Sequence, residues 1–98
     1  MPPVVYGGNM PTEQEFMLPQ VTFSTFVLSL ASSALVQLGE VPNPETNALQ
    51  EDLKMAKHTI DMLEMLQEKT RNGLDAEEKK LLDGVLYEVR MKYVIKTR

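Results

Sequence analysis

Between Thr22 and Leu38 the chain runs for 17 residues without an acidic or basic side chain. Any fold it adopts has to cover most of what those residues carry. Thr22 offers a hydroxyl to cap a helix start, and Gly39 is the residue best suited to a left-handed helix end. A helix over this span, at 100° per residue, places Phe23, Phe26, Val27, Leu28, Leu30, Ala31, Ala34, Leu35 and Leu38 on an arc of roughly 200°, about twice the stripe that a helix lying on one core presents. The remaining face is built of hydroxyls, Thr22, Thr25, Ser29, Ser32 and Ser33, which permit close helix approach and can bond to their own backbone carbonyls. The pattern predicts a helix covered on two sides. A bilayer-spanning reading fares worse, because 17 residues only touch the lower length limit and seven of them are polar.

Before this stretch, MPPVVYGGNMPTEQEFMLPQ holds four prolines and two adjacent glycines, so neither a helix nor a paired strand propagates through it. Residues 1–20 read as a flexible tail, with Val4, Val5, Tyr6, Phe16, Met17 and Leu18 available for docking. After it, Gly-Glu-Val-Pro-Asn-Pro-Glu-Thr-Asn connects to a second helix expected over Ala48–Arg71, and Asn43 before Pro44 suits a brief turn. Leu49, Leu53, Ala56, Ile60 and Leu63, spaced by four and three, make its buried stripe. Leu66, Met55 and Met62 widen that stripe, while Lys54, Lys57, Asp61, Glu64 and Glu68 face water. Asn72-Gly73 ends it, and Asp75 with Glu78 three residues later is a capping box for a third helix over Ala76–Lys96. There Leu81, Leu82, Val85, Leu86, Val89 and Tyr93 line one face. Tyr87, Met91, Val94 and Ile95 form a second patch on the other, near Gly84.

The fold class is therefore all-α: a three-helix domain over residues 21–98, made of a helical hairpin plus an apolar first helix, behind the tail. Its core is small, and a domain of this size rarely draws more than about 3 to 5 kcal/mol from packing alone. Three amphipathic surfaces exceed what one such core can use. Self-association absorbs the surplus, and a two-fold dimer is the commonest closed arrangement. Phe23, Phe26, Leu28, Leu35, Tyr87, Met91 and Val94 are the candidate interface residues, with a different protein as the second choice of partner and a membrane surface behind self-association.

Chemistry finds little purchase. The chain has no cysteine, which excludes disulfides, thiolate zinc sites and cysteine nucleophiles and fits a reducing cytoplasm. No basic segment precedes an apolar one in the first sixteen residues, as a secretory signal requires, so a cytoplasmic protein is expected. His58 shares a helix face with Asp61, but two ligands on a solvated face do not make a metal site. The pairs Glu51-Asp52 and Glu77-Glu78 sit at helix starts, where they offset the helix dipole instead of converging on a shielded pocket. Ser29, Ser32 and Ser33 have no GxSxG setting, and Gly7-Gly8 lacks the spacing of a phosphate loop. No enzyme and no cofactor is expected.

Charge points the same way. The net charge is −4, whereas a nucleic-acid binder shows a basic footprint to exploit counterion release. All ten basic residues lie between 48 and 98, beside ten of the fourteen acids. Arg90, Lys92, Lys96 and Arg98, with Tyr87 and Tyr93 among them, are the best case for nucleic acid or an acidic lipid. Basic residues in a last helical turn complement the macrodipole, however, and Glu88 can pair with Lys92.

The stretch Phe23-Ser-Thr-Phe-Val-Leu-Ser-Leu-Ala-Ser-Ser-Ala-Leu-Val-Gln-Leu-Gly39, followed by Pro42-Asn-Pro44, resembles a family of small bacterial proteins catalogued as domain of unknown function 1844. Ala56-Lys-His-Thr-Ile-Asp-Met-Leu-Glu-Met-Leu-Gln-Glu-Lys-Thr70 and Leu86-Tyr-Glu-Val-Arg-Met-Lys-Tyr93 are similar to the same family. The resemblance covers about residues 20–95. It implies a compact bacterial helical domain and brings no activity, substrate or catalytic residue with it.

Overall fold

The computed structural model describes residues 20–98; the expected tail, 1–20, lies outside them but for its last residue. Three helices make up the fold of the described residues: α1, Phe23–Gln37; α2, Leu53–Lys69; and α3, Ala76–Thr97. Each packs against both others, as the all-α, three-helix reading requires.

α1 starts where its sequence provides partners for orphan amides. The Thr22 hydroxyl accepts from the Thr25 backbone N–H at 3.0 Å, and the Thr25 hydroxyl accepts from the Thr22 N–H at 3.0 Å, a reciprocal box made by two threonines. At the other end Gly39 takes φ +76°. Its N–H donates to Val36 O at 3.0 Å, and the Glu40 N–H donates to Leu35 O at 2.9 Å, the paired bonds of a Schellman ending. A side chain at Gly39 would be strained by that φ, and a Cβ there would come within 2.9 Å of Glu51 Cγ.

The connection that follows folds back on α1, and here the expected start of α2 at Ala48 is corrected to Leu53. The Asp52 N–H donates to Gln37 O at 2.8 Å, and Leu38 and Glu51 form a single antiparallel bridge. Those bonds hold residues 51 and 52 extended beside the end of α1. The Asp52 carboxylate then caps α2 by accepting from the Met55 N–H at 3.1 Å. Leu49 is thereby left outside the helix and 64% exposed instead of extending its buried stripe. Upstream, the Asn43 carboxamide oxygen accepts from the Glu45 N–H at 2.8 Å, making the expected brief turn around Pro44. α2 ends two residues before Arg71, at Lys69; the Thr70 hydroxyl donates to Leu66 O at 2.6 Å. Asp75 and Glu78 close the predicted capping box of α3 at 2.8 and 3.0 Å.

The core lies where the three stripes meet. α1 and its cap contribute Val27, Ala34 and Leu38; α2 contributes Ala56, Ile60 and Leu63; α3 contributes Leu82, Leu86 and Val89. Phe23, Leu30, Leu53, Leu66, Leu74, Leu81, Val85 and Tyr93 pack around them. Thr59 is the one buried polar residue among the described ones, and its hydroxyl donates to Gln37 Oε1 at 2.7 Å. Burial without that bond would cost about 1 to 3 kcal/mol. Gln37 thus ties α1 to α2 twice, through its side chain to Thr59 and through its carbonyl to Asp52.

Candidate functional site

A surface, not a cleft, is the most distinctive feature outside the core. With Leu82, Leu86 and Val89 turned inward, the 3.6-residue period sends Gly84, Tyr87, Met91, Val94 and Ile95 to the far side of α3. Tyr87 is 67% exposed, Met91 46%, Val94 56% and Ile95 57%. Together with Arg90 and Arg98 they line a shallow hollow of about 350 Å³. Its lining is mainly apolar, with two guanidinium groups beside it. Scattered exposed apolar residues need no account, but a contiguous patch on one helix is what interaction surfaces are made of.

Three of the basic residues near this patch, Arg90, Lys92 and Lys96, are engaged within the fold. Arg90 Nε donates to Glu64 Oε2 of α2 at 3.0 Å. Lys96 donates to Glu51 at 3.1 Å and lies 3.8 Å from Glu40, and Lys92 sits 3.7 Å from both Glu40 and Glu88. The basic end of α3 therefore clasps the acidic connection between α1 and α2. That lowers the positive potential available to a phosphate backbone.

The second exposed surface belongs to α1. Phe26 is 50% and Leu28 48% exposed, on either side of a strip formed by Thr25, Ser29 and Ser32. The two-sided coverage predicted for this helix is thus met on one side only among the described residues. Of its candidate interface residues, Phe26 and Leu28 face outward, Leu35 is half-buried, and Phe23 packs against the core.

Chemical groups lie apart from one another. His58 is exposed, and Asp61 accepts a hydrogen bond from Lys57 Nζ at 2.7 Å. That bond, with the attraction of the same carboxylate, raises the Lys57 ammonium above its ordinary value. Among the described residues no three His, Cys, Asp or Glu side chains gather into a group able to hold a metal ion. A small hollow of about 100 Å³ at the hairpin turn is lined by Gln67, Arg71, Lys79 and Asp83 among others. Its polar groups bond to each other: Asp83 accepts from Gln67 at 3.0 Å and from Lys79 at 3.2 Å, and Arg71 donates to Glu68 at 3.0 Å. The Gln67 bond, then the Lys79 bond, hold the Asp83 carboxyl below the usual carboxylate range. No helix of the described residues is long and apolar enough to cross a membrane.

The family model described as Domain of unknown function (DUF1844) matches residues 20–95. The chain belongs to this family. No curated protein and no solved structure matches it. The match runs from just before α1 nearly to the end of α3, so the exposed apolar residues of both surfaces of this DUF1844 domain fall within the family's own segment, while Arg98 lies past it. Sequence reasoning passed over two contacts of the domain. The Gln37–Thr59 bond spans 22 residues and the Lys96–Glu51 bond 45, and neither leaves a mark in local periodicity. The only available signal was a threonine one residue before Ile60, on the edge of an apolar stripe.

Proposed function

We propose that this domain is a non-enzymatic helical protein of the bacterial cytoplasm that acts by protein contact, joining first to a second copy of itself through the outer face of α3. The observation that carries this reading is the contiguous exposed patch of Tyr87, Met91, Val94 and Ile95. Burying such side chains is worth about 25 cal/mol per Å² of apolar surface, and a closed two-fold pair covers both patches at once. A cytoplasmic setting suits a chain without cysteine.

The test is the solution mass by light scattering across a hundredfold range of micromolar concentrations. A dimer is expected at the upper end, with Tyr87→Glu remaining monomeric and folded. A single-chain mass throughout would overturn the reading.

A second reading rests on the exposed strip of α1, where Phe26 and Leu28 flank hydroxyls and no charge interrupts. Such a face suits a different protein or a membrane surface. Co-sedimentation with neutral and anionic liposomes is the check on the membrane version, which fails if the protein stays in solution with both.

A further inference from the structure

α3 carries two rows of exposed residues that repeat every seventh position. Glu77, Gly84, Met91 and Arg98 form one; Lys80, Tyr87 and Val94 form the other, three residues on; and all seven face solvent. This is the spacing of a two-helix seam. The 22 residues of α3 give it a length of about 33 Å. Its middle is apolar and its two ends differ: an acid at Glu77, a base at Arg98.

Resting on the reading that this face joins two copies, we infer that α3 pairs with α3 of a second copy in the antiparallel direction, with each Arg98 beside the other chain's Glu77. Charge decides the direction. A parallel pair sets identical positions side by side, so Glu77 would meet Glu77, Lys80 would meet Lys80 and Arg98 would meet Arg98. It would also align the two helix dipoles with like ends together. An antiparallel pair removes all three like-charge contacts.

Gly84 and Lys80 then select the register. A Cβ built on Gly84 meets nothing within 4 Å, so α3 shows bare backbone there, a socket for a large side chain. Placing the two-fold axis between Val85 and Leu86 puts the Tyr87 ring of each chain over Gly84 of the other. It sets Lys80 across from Met91, whose flat apolar chain can lie along the lysine stem while the ammonium reaches water. Arg98 then falls about one helical turn beyond the opposing Glu77, within side-chain reach. Shifting the axis to residue 89, the next alignment that keeps the two rows interlocked, would set Lys80 directly against Arg98.

The absence of cysteine from the chain makes the arrangement readable by cross-linking. Lys80→Cys and Met91→Cys, two exposed positions, are prepared separately and then mixed at a concentration where light scattering shows dimer, under mild oxidation. A disulfide-linked dimer is expected from the mixture only. Cross-linking of either variant alone would overturn the antiparallel pairing, and so would a dimer that gives no cross-link in the mixture. These outcomes leave the α3 interface itself standing, whereas a monomeric wild-type protein removes both. As an independent check, Arg98→Glu should weaken dimerisation about tenfold, and combining it with Glu77→Arg should restore it. A double variant as weak as the single one would overturn the pairing of these two residues.

Discussion

Thr59 brings a hydroxyl to a fully covered position between Ala56 and Leu63, and the fold tolerates it because Gln37 Oε1 stands 2.7 Å away. Thr59→Val keeps the shape and removes the donor, leaving the carboxamide oxygen without its bond. The expected cost is about 1 kcal/mol, read as a lower urea midpoint at unchanged slope. Asp83 illustrates the same dependence on a partner, this time through its proton. Its folded carboxyl titrates below the ordinary 3.8, so the folded state favours the ionised form. The stability this supplies is present above the unfolded carboxyl's range and is lost as pH falls through the folded value. Carbon-detected NMR titration should place the Asp83 midpoint below 3.8, and Gln67→Ala should move it upward, since the Gln67 bond is the largest cause of the depression. An unmoved midpoint in the variant would assign the depression to Lys79 instead. Neither partner was legible in the sequence, because Gln67 lies 16 residues from Asp83 and Gln37 lies 22 from Thr59.

The helices themselves were largely written in local pattern. Thr22, Gly39 and Asp75 with Glu78 each specify a boundary through a bond or a backbone angle made within a few residues, whereas α2 already stops at Lys69, ahead of the expected Asn72-Gly73 stop. α2 departed from its expected start for the opposite reason. Leu49 continues the four-and-three spacing of the stripe, yet the decisive bond, from the Asp52 N–H to Gln37 O, joins segments that only tertiary folding brings together. α1 shows a further limit: its wide apolar arc was legible, but not which part of it the other two helices would cover. That distinction now separates two phenylalanines that looked alike. Phe23→Ser removes a ring packed against the core and should cost about 3 kcal/mol or more, whereas Phe26→Ser, half-exposed, should cost well under half of that. Thermal melts of the two variants at one dilute concentration check the order. On α3, Gly84→Ala adds a methyl where nothing stands within 4 Å and should stabilise the isolated chain by about 1 kcal/mol, the helix preference of alanine over glycine.

At the scale of the whole molecule, the apolar residues left over by the three-helix core matter more than those inside it. A domain with nine buried core side chains among its described residues gains stability from any state that covers the outer face of α3, and mass action makes that gain depend on concentration. The melting temperature of the wild-type protein should therefore rise with protein concentration over a hundredfold range. Tyr87→Glu, which places a charge in the middle of the patch, should abolish the rise while matching the wild type at the dilute limit. The comparison separates assembly from folding. Loss of stability at every concentration would mean that Tyr87 supports the fold of the single chain, and a flat wild-type curve would mean that the patch stays open to solvent. Phe26→Ser sharpens the result further: if α3 alone forms the seam, this α1 variant keeps the concentration dependence of the wild type, with its whole curve shifted by the cost to folding.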